Sequence, residues 1–195
     1  MAQRYFNKFL GILFLFSLVF ISACTLTPKV DRELLTEETR IGRFAVLSFD
    51  KRENRNKDAV QGGFVWRDYG HNLELDLTNP LGNTLARVEV GDFQSVLINS
   101  SGQRVSAPSP DDLIARVLDG RPLPVSGIRY WVRGELMPQE AAEAVERDAE
   151  GRLQSAYQNG WQINLSEYDA KGPTRLHLIR NEHAERITVR LTVDQ

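Results

Sequence analysis

The chain of 195 residues contains 24 Lys or Arg and 26 Asp or Glu, which gives a net charge of −2 at neutral pH. A weakly acidic chain with mixed charges is not typical of general nucleic-acid binders, so we expect no nucleic-acid partner. No broad polybasic segment suited to an anionic membrane surface occurs either.

The N-terminus has the pattern of a bacterial secretory signal. Arg4 and Lys8 precede an apolar run over residues 9–20, and Ile-Ser-Ala at 21–23 stands directly before Cys24. This arrangement resembles the Leu-Ser-Ala-Cys signal of bacterial lipoproteins, with Ile in the place of Leu. The resemblance implies that Cys24 is diacylated, freed at its amino side by cleavage and then N-acylated.

An uncleaved transmembrane anchor is the alternative interpretation of this segment. The apolar stretch over residues 9–23 has 15 residues, whereas a spanning helix needs about 20. Cys24 is also the only cysteine of the chain, and an exported protein has little other use for one cysteine at a cleavage point. Both observations favour a lipid anchor. Cleavage would leave 172 residues with a net charge of −4, which suits one domain with a hydrophobic core.

Thr25 follows the cysteine that the signal marks for acylation. Among bacterial lipoproteins, Asp at this position is the familiar signal for retention in the inner membrane. Thr25 therefore implies the outer membrane, with the protein anchored by lipid on its periplasmic face. We expect residues 1–23 to be the signal, 24–40 the acylated tether and 41–195 the folded domain.

Alternating apolar and polar residues predict strands in the first part of this domain. The clearest alternation places Leu73, Leu75 and Leu77 on one face, as in a half-solvated antiparallel strand. Gly62-Gly63 indicates a bulge or a close backbone approach, and residues 79–83 have turn composition. The predicted strands cover 44–49, 60–69, 72–78, 85–90, 93–99 and 103–106, with a charged turn over 51–58.

After residue 108 the spacing of apolar residues becomes that of a helix. Ser109 is suited to an N-cap and Pro110 to a first helical turn, and apolar residues then follow at helical spacing up to Gly120. A second short helix is predicted over 128–133, and a third over the Ala- and Glu-rich residues 138–148. We expect this helical insertion to cap one opening or face of the sheet.

Strands return in the last part of the chain, over 152–157, 161–168, 175–180 and 186–193. Because no strand–helix–strand rhythm occurs, the sheet should be antiparallel. Many strands about ten residues apart favour a barrel or a strongly curled sheet. The interior of such a barrel is either a packed core or a cavity for an apolar ligand, and periodicity leaves both interpretations open.

The sequence contains no pattern typical of a catalytic or metal centre. His71, His177 and His183 lack metal-ligand spacing, and nucleophile-elbow and nucleotide-binding motifs do not occur. Helix capping explains the pair Asp111-Asp112. We therefore expect no metal, no cofactor and no enzymatic activity, although a catalytic set scattered along the chain would leave no such motif.

Five stretches stand in an order that indicates a family. They are Arg-Ile-Gly-Arg-Phe-Ala at 40–45, Gly-Gly-Phe-Val-Trp-Arg at 62–67, Leu-Thr-Asn-Pro-Leu-Gly at 77–82, Arg-Tyr-Trp-Val-Arg-Gly at 129–134, and Gly-Arg-Leu with a later Gly-Trp at 151–161. Together they resemble the LolB family, the outer-membrane lipoprotein receptors of Gram-negative bacteria, over about residues 40–193. The chain departs from many members in having no Trp after its last strand.

The resemblance implies an unclosed antiparallel β-barrel of about eleven strands, with short helices over one mouth and a hydrophobic cavity inside. It implies a receptor that takes acylated lipoproteins from the periplasmic carrier LolA and inserts them into the outer membrane's inner leaflet, in contact with its phospholipid. We expect a monomer. A lipid-anchored envelope enzyme and a structural lipoprotein with a solid core are the alternatives.

The resemblance and the alternation together indicate site residues. In the family, the Asn-Pro-Leu-Gly loop projects an apolar residue that assists membrane insertion, and Leu81 holds that position here. The residues expected to line an acyl-chain cavity are Phe44, Val46, Phe64, Trp66, Leu75, Leu77, Leu85 and Val88. The residues expected to form a lid are Leu113, Ile114, Val117, Leu118 and Trp131.

Overall fold

The computed structural model of the protein describes residues 39–194, which form one mainly β domain. Eleven strands in this range belong to a single antiparallel sheet, and two short helices interrupt it. The strands are β1 (Thr39–Asp50), β2 (Arg55–Asp68), β3 (Leu73–Thr78), β4 (Thr84–Val90), β5 (Ser95–Asn99), β6 (Arg104–Ala107), β7 (Ala142–Arg147), β8 (Leu153–Gln158), β9 (Trp161–Asp169), β10 (Gly172–Asn181) and β11 (Glu185–Val193). The helices are α1 (Pro110–Val117) and α2 (Val125–Trp131).

The sheet is an open barrel, and the first and last strands of the chain pair with each other at the centre of the strand order. The strand order is β6-β5-β4-β3-β2-β1-β11-β10-β9-β8-β7, so β6 and β7 are edges that do not pair with each other. The β1–β11 register runs from Gly42 opposite Val193 to Asp50 opposite Glu185. The predicted unclosed antiparallel barrel is confirmed.

Strand alternation puts apolar side chains on the inner face. In β3, Leu73, Leu75 and Leu77 are each at most 2% exposed, while the residues between them are only half-buried. The predicted close backbone approach at Gly62 is also present, because a Cβ there would lie 1.9 Å from the carbonyl oxygen of Thr78. This glycine therefore lets the backbones of β2 and β3 approach each other closely.

Helix α1 begins as its sequence predicts. The side chain of Ser109 accepts a hydrogen bond from the backbone N–H of Asp111 at 3.2 Å, and Pro110 occupies the first turn. Leu113 and Ile114 are fully buried. The helix packs against β4, β5 and β6, and so covers the barrel next to its free edge.

Helix α2 begins three residues earlier than predicted, at Val125. Gly127 lies inside the helix, and Trp131 packs directly on it. A Cβ on Gly127 would lie 2.4 Å from the Trp131 ring. The glycine therefore creates space for the indole one turn further on.

The predicted third helix over 138–148 is wrong. The structure has β7 in this segment, paired with β8 from Ala142 opposite Gln158 to Arg147 opposite Leu153. Ala and Glu are good helix formers, but helix propensity differs by less than about 1 kcal/mol per residue among ordinary residues, and hydrogen bonding to the edge of β8 outweighs it. Ala144 has a positive φ of 48°, where the register shifts, so the edge strand is irregular.

The other strand boundaries in the structure differ from the predicted ones by a few residues. β2 begins at Arg55, inside the predicted charged turn, because the β1–β2 ladder continues to Asp50 opposite Arg55. β5 begins at Ser95 rather than at Phe93. The apolar Phe93 instead occupies a turn and is 96% exposed. β1 begins at Thr39, two residues before the expected start of the domain.

Candidate functional site

Most of the residues expected to line a cavity share the inner face of the sheet. Leu85 is the exception, since it lies between the pairs Leu77–Ala86 and Thr78–Thr84, where the β3–β4 register shifts. The shift gives Ala86 the inward position, and Leu85 is only half-buried. The seven others are at most 4% exposed: Phe44, Val46, Phe64, Trp66, Leu75, Leu77 and Val88.

A small apolar cavity lies between this face and the helical segment. Its volume is about 10 Å³, which is close to the least that holds one water molecule. This part of the interior is therefore well packed, and a ligand of any length requires side chains to move there. The cavity is lined by Phe44, Phe64, Trp66, Leu75, Leu77, Leu123, Ile128, Val132 and Leu191.

The helical segment supplies one wall of this cavity, but none of the five residues expected to form a lid lines it. Leu113, Ile114, Leu118 and Trp131 are completely buried, whereas Val117 is half-buried. The sequence interpretation missed Leu123, Ile128 and Val132, which face the cavity itself. The helical spacing from Ile128 to Trp131 and Val132 could have identified two of these three residues.

A buried glutamine attaches the end of α2 to the barrel. The side chain of Gln158 on β8 is 1% exposed, and its Oε1 accepts hydrogen bonds from Trp131 Nε1 at 3.1 Å and from the Met137 N–H at 2.9 Å. Its Nε2 donates to the carbonyl oxygens of Met137 and Glu140. Every polar atom of this amide is used, so Gln158 fixes the chain that follows α2.

A second attachment, the Asp68 clamp, joins α2 to the end of β2 through Asp68, Arg129 and Arg133. Arg129 donates from Nε and Nη2 to the two carboxylate oxygens of Asp68 at 2.9 and 2.8 Å. Arg133 donates to the same carboxylate at 3.3 Å. The Asp68 side chain is only 5% exposed, so this ion pair is largely shielded from water.

Burial and ion pairing act in opposite directions on Asp68. Burial opposes ionisation, but the hydrogen bonds from Arg129 and from the Gly70 N–H, with the charges of Arg129 and Arg133, outweigh it and lower the pKa of Asp68 below its ordinary 3.8. The carboxylate therefore remains charged at neutral pH, and the clamp is closed there.

The turn between β3 and β4 projects one leucine into solvent. Asn79 Oδ1 accepts hydrogen bonds from the N–H groups of Leu81 and Asn83, both at 3.0 Å. Gly82 has a φ of +86° and donates its N–H to the Asn79 carbonyl. Leu81 is 86% exposed. A rigid turn therefore presents an apolar side chain to its surroundings.

The pair Asp111-Asp112 has a structural explanation. Asp111 Oδ1 accepts hydrogen bonds from the N–H of Ser126 at 2.9 Å and from its hydroxyl at 3.2 Å, which joins the starts of α1 and α2. Burial raises the pKa of Asp111.

Within residues 39–194 no group of three or more His, Cys, Asp or Glu could hold a metal ion, and neither helix is long and apolar enough to cross a membrane. Cys24 lies outside the described residues.

These features define a class of protein: an open antiparallel barrel with an apolar interior, covered by two helices that polar contacts attach to the strands. Residues 39–195 match the family model described as outer membrane lipoprotein LolB. A relative with the printed name Outer-membrane lipoprotein LolB, from Bordetella petrii, is 46% identical over 80% of this chain and 77% of its own.

Two further relatives have the same printed name. The one from Bordetella parapertussis is 48% identical over 80% of this chain and 77% of its own. The one from Cupriavidus metallidurans is 33% identical over 96% of both chains. The chain belongs to the outer membrane lipoprotein LolB family.

We predict that Asp68→Asn weakens the attachment of α2 to β2. At pH 7 the substitution should lower the free energy of unfolding by about 2 kcal/mol, because it removes charge-assisted hydrogen bonds chiefly to Arg129. Since the pKa of Asp68 is lowered in the folded state, its stabilisation is complete above pH 3.8 and is lost as the pH falls through the folded value. Urea denaturation of the protein lacking residues 1–24, between pH 7 and pH 2, measures both effects.

The matched control is Asp194→Asn, which removes the exposed ion pair between Arg43 and Asp194. It should change the free energy of unfolding by less than about 0.5 kcal/mol. Equal losses for the two variants at pH 7 would contradict a special role for the Asp68 clamp.

Proposed function

We propose that this protein is the outer-membrane receptor that accepts acylated lipoproteins from the periplasmic carrier LolA and inserts them into the membrane's inner leaflet. The proposal is supported by membership of the family and by relatives whose printed name is Outer-membrane lipoprotein LolB. The observation that carries it is an apolar barrel interior in contact with a separate helical cover.

On this proposal, uptake of a lipoprotein replaces apolar contacts within the protein by contacts with acyl chains. In the closed state, Leu123, Ile128 and Val132 cover Phe44, Phe64 and the other apolar residues of the sheet. Acyl chains would replace those side chains when α2 moves away. Each methylene kept from water contributes about 0.8 kcal/mol, so the chains can offset the loss of the Asp68 clamp and of part of the lid contacts.

Transfer needs no nucleotide and no covalent step. Acyl chains cannot cross an aqueous compartment unshielded, because each exposed methylene costs about 0.8 kcal/mol. The cargo moves forward if the receptor binds it more tightly than the carrier does, and the bilayer more tightly still. An ordered series of affinities is therefore sufficient.

The closed interior is also what a structural lipoprotein with a solid core would have. Transfer of a labelled lipoprotein from its purified carrier to the protein lacking residues 1–24 distinguishes the two functions. We expect the label to move to this protein, and an apolar fluorescent probe bound to the protein to be displaced by lipoprotein. Binding of neither probe nor lipoprotein would contradict the receptor function and favour the solid core.

Leu81 is the residue that we assign to the membrane. It is exposed on a rigid turn and makes no contribution to the core, and inserting its side chain into lipid gains about 1.5–3 kcal/mol. Leu81→Glu should leave folding and uptake from the carrier nearly unchanged and should impair release of the lipoprotein into liposomes. Leu81→Phe, which keeps an apolar side chain, is the matched control and should retain release.

Uptake and release are measured separately with labelled lipoprotein, first from carrier to receptor and then from receptor to liposomes. If Leu81→Glu unfolds the protein or blocks uptake, the leucine belongs to the core or to the cargo site, and the membrane role is wrong.

We assign the lipid anchor on the periplasmic face to Cys24. The support is the arrangement of residues 4–24, with the only cysteine directly after the small residues. Cys24→Ala should abolish both signal processing and attachment to the outer membrane, which membrane fractionation and labelling with a radioactive fatty acid would measure. Label retained on the variant would overturn the assignment. A Thr25→Ala variant, which keeps the cysteine, should still be labelled.

A further inference from the structure

A second, polar pocket opens where β1 begins and β2 ends, beside the C-terminal end of α2. Its volume is about 420 Å³, far more than that of the apolar cavity. Four of its lining residues are cationic and one, Asp68, is anionic. The lining residues that determine its character are Arg40, Trp66, Arg129, Val132, Arg133 and Lys171.

Two buried donors in the wall of this pocket are unused. Arg40 is 3% exposed; its Nη1 donates to Asp169 at 2.8 Å and its Nη2 to the Pro173 carbonyl at 3.0 Å. Its Nε and the Nε1 of Trp66 find no acceptor in the part of the chain that the structure describes. A buried N–H without an acceptor is costly, but neither atom is accessible in this closed arrangement, so the oxygens of a ligand reach them only if side chains of the pocket wall move.

The charges around the pocket leave an excess of positive charge. Asp169 partly neutralises Arg40, and Asp68 is shared by Arg129 and Arg133. Arg133 also contacts Glu135 at 3.3 Å, but its side chain is 41% exposed and retains free donors. The Lys171 ammonium makes one long contact of 3.5 Å to a backbone oxygen. An anion is the charge type that this lining attracts.

The polar pocket and the apolar cavity share a wall. Trp66 and Val132 line both of them. A ligand that placed its anionic group in the polar pocket would therefore have its next atoms directly against the apolar interior. That arrangement fits an amphiphile, with a charged head and a hydrocarbon chain, rather than a free ion.

We infer that this pocket binds the phosphate of a single glycerophospholipid molecule, with an acyl chain passing between Trp66 and Val132 into the apolar interior. The inference rests on the proposed function, because the chain occupies the interior proposed for cargo. The cargo's own anchor does not explain the pocket: a diacylated, N-acylated cysteine of the kind implied for Cys24 carries no anionic group near its chains. A phosphodiester supplies both the charge and the acceptor oxygens.

The position of the pocket separates it from the proposed membrane contact. It lies at the end of the sheet where β2 leads into β3, whereas Leu81 follows the opposite end of β3. The phospholipid is therefore bound as a monomer, not as part of the bilayer that Leu81 meets. A phospholipid chain and a lipoprotein chain then compete for the same interior, so that one leaves as the other enters.

Three small ligands test this assignment on the protein lacking residues 1–24. They are dihexanoylphosphatidylglycerol below its micelle concentration, the neutral dihexanoylglycerol, and glycerol 3-phosphate, which has the head without chains. Equilibrium dialysis should give binding of the phospholipid about tenfold or more tighter than that of either other ligand. In the double variant Arg133→Gln/Lys171→Gln, the affinity for the phospholipid should fall close to the affinity for the neutral lipid. The affinity for the neutral lipid should not fall.

Arg104→Gln is the matched control, since Arg104 is an exposed cation on the edge strand β6, paired with Glu89. It should keep the preference for phosphate. Equal binding of the charged and neutral lipids by the unmodified protein would overturn the headgroup site. So would binding of glycerol 3-phosphate as tight as that of the phospholipid, or an equal loss in Arg104→Gln.

Lipoprotein uptake from the carrier, measured on the same proteins, separates this inference from the receptor function. Normal uptake together with equal binding of the two lipids refutes the headgroup site alone. Absence of uptake together with binding of neither lipid refutes the receptor function as well.

Discussion

The unpaired edges of the sheet are the constraint on which the rest of the structure depends. β6 and β7 do not pair with each other, so the barrel cannot enclose its apolar face with strands alone. The chain between these two edges supplies α1 and α2, whose apolar side chains complete the core. The two helices thus cover the apolar face at the opening between the unpaired edges. Their apolar side chains are part of the same core as those of the strands.

On the proposed function, this arrangement makes the interior exchangeable in a way that a closed barrel is not. Backbone hydrogen bonds hold a strand in a sheet, whereas α2 is attached to the strands by side chains, chiefly through the Asp68 clamp and Gln158. Apolar contact is not directional, so a hydrocarbon chain can replace Ile128 or Val132 with little net loss. The few polar attachments then decide which arrangement is stable.

Local patterns in the sequence predicted much of the fold, and contacts between distant residues account for the rest. The alternation at Leu73–Leu77 and the capping at Ser109 depend on neighbouring residues and were confirmed. Segment 138–148 carried a helical composition, but pairing with β8 makes it a strand. The buried polar residues Arg40, Asp68 and Gln158 were not predicted, because their partners lie far along the chain, such as Asp169, 129 residues from Arg40.

The pairing of β1 with β11 has a consequence for how the domain folds. Arg43 and Asp194, which meet across this seam, are 151 residues apart, while β2 to β6 and β7 to β10 pair with sequence neighbours through short turns. The entropic cost of closing a loop rises with its length, and contacts between distant residues slow folding. Two local meanders can therefore form early, and the seam that unites them comes late. Until then the apolar faces of both halves are exposed, and the unfinished chain is prone to aggregation.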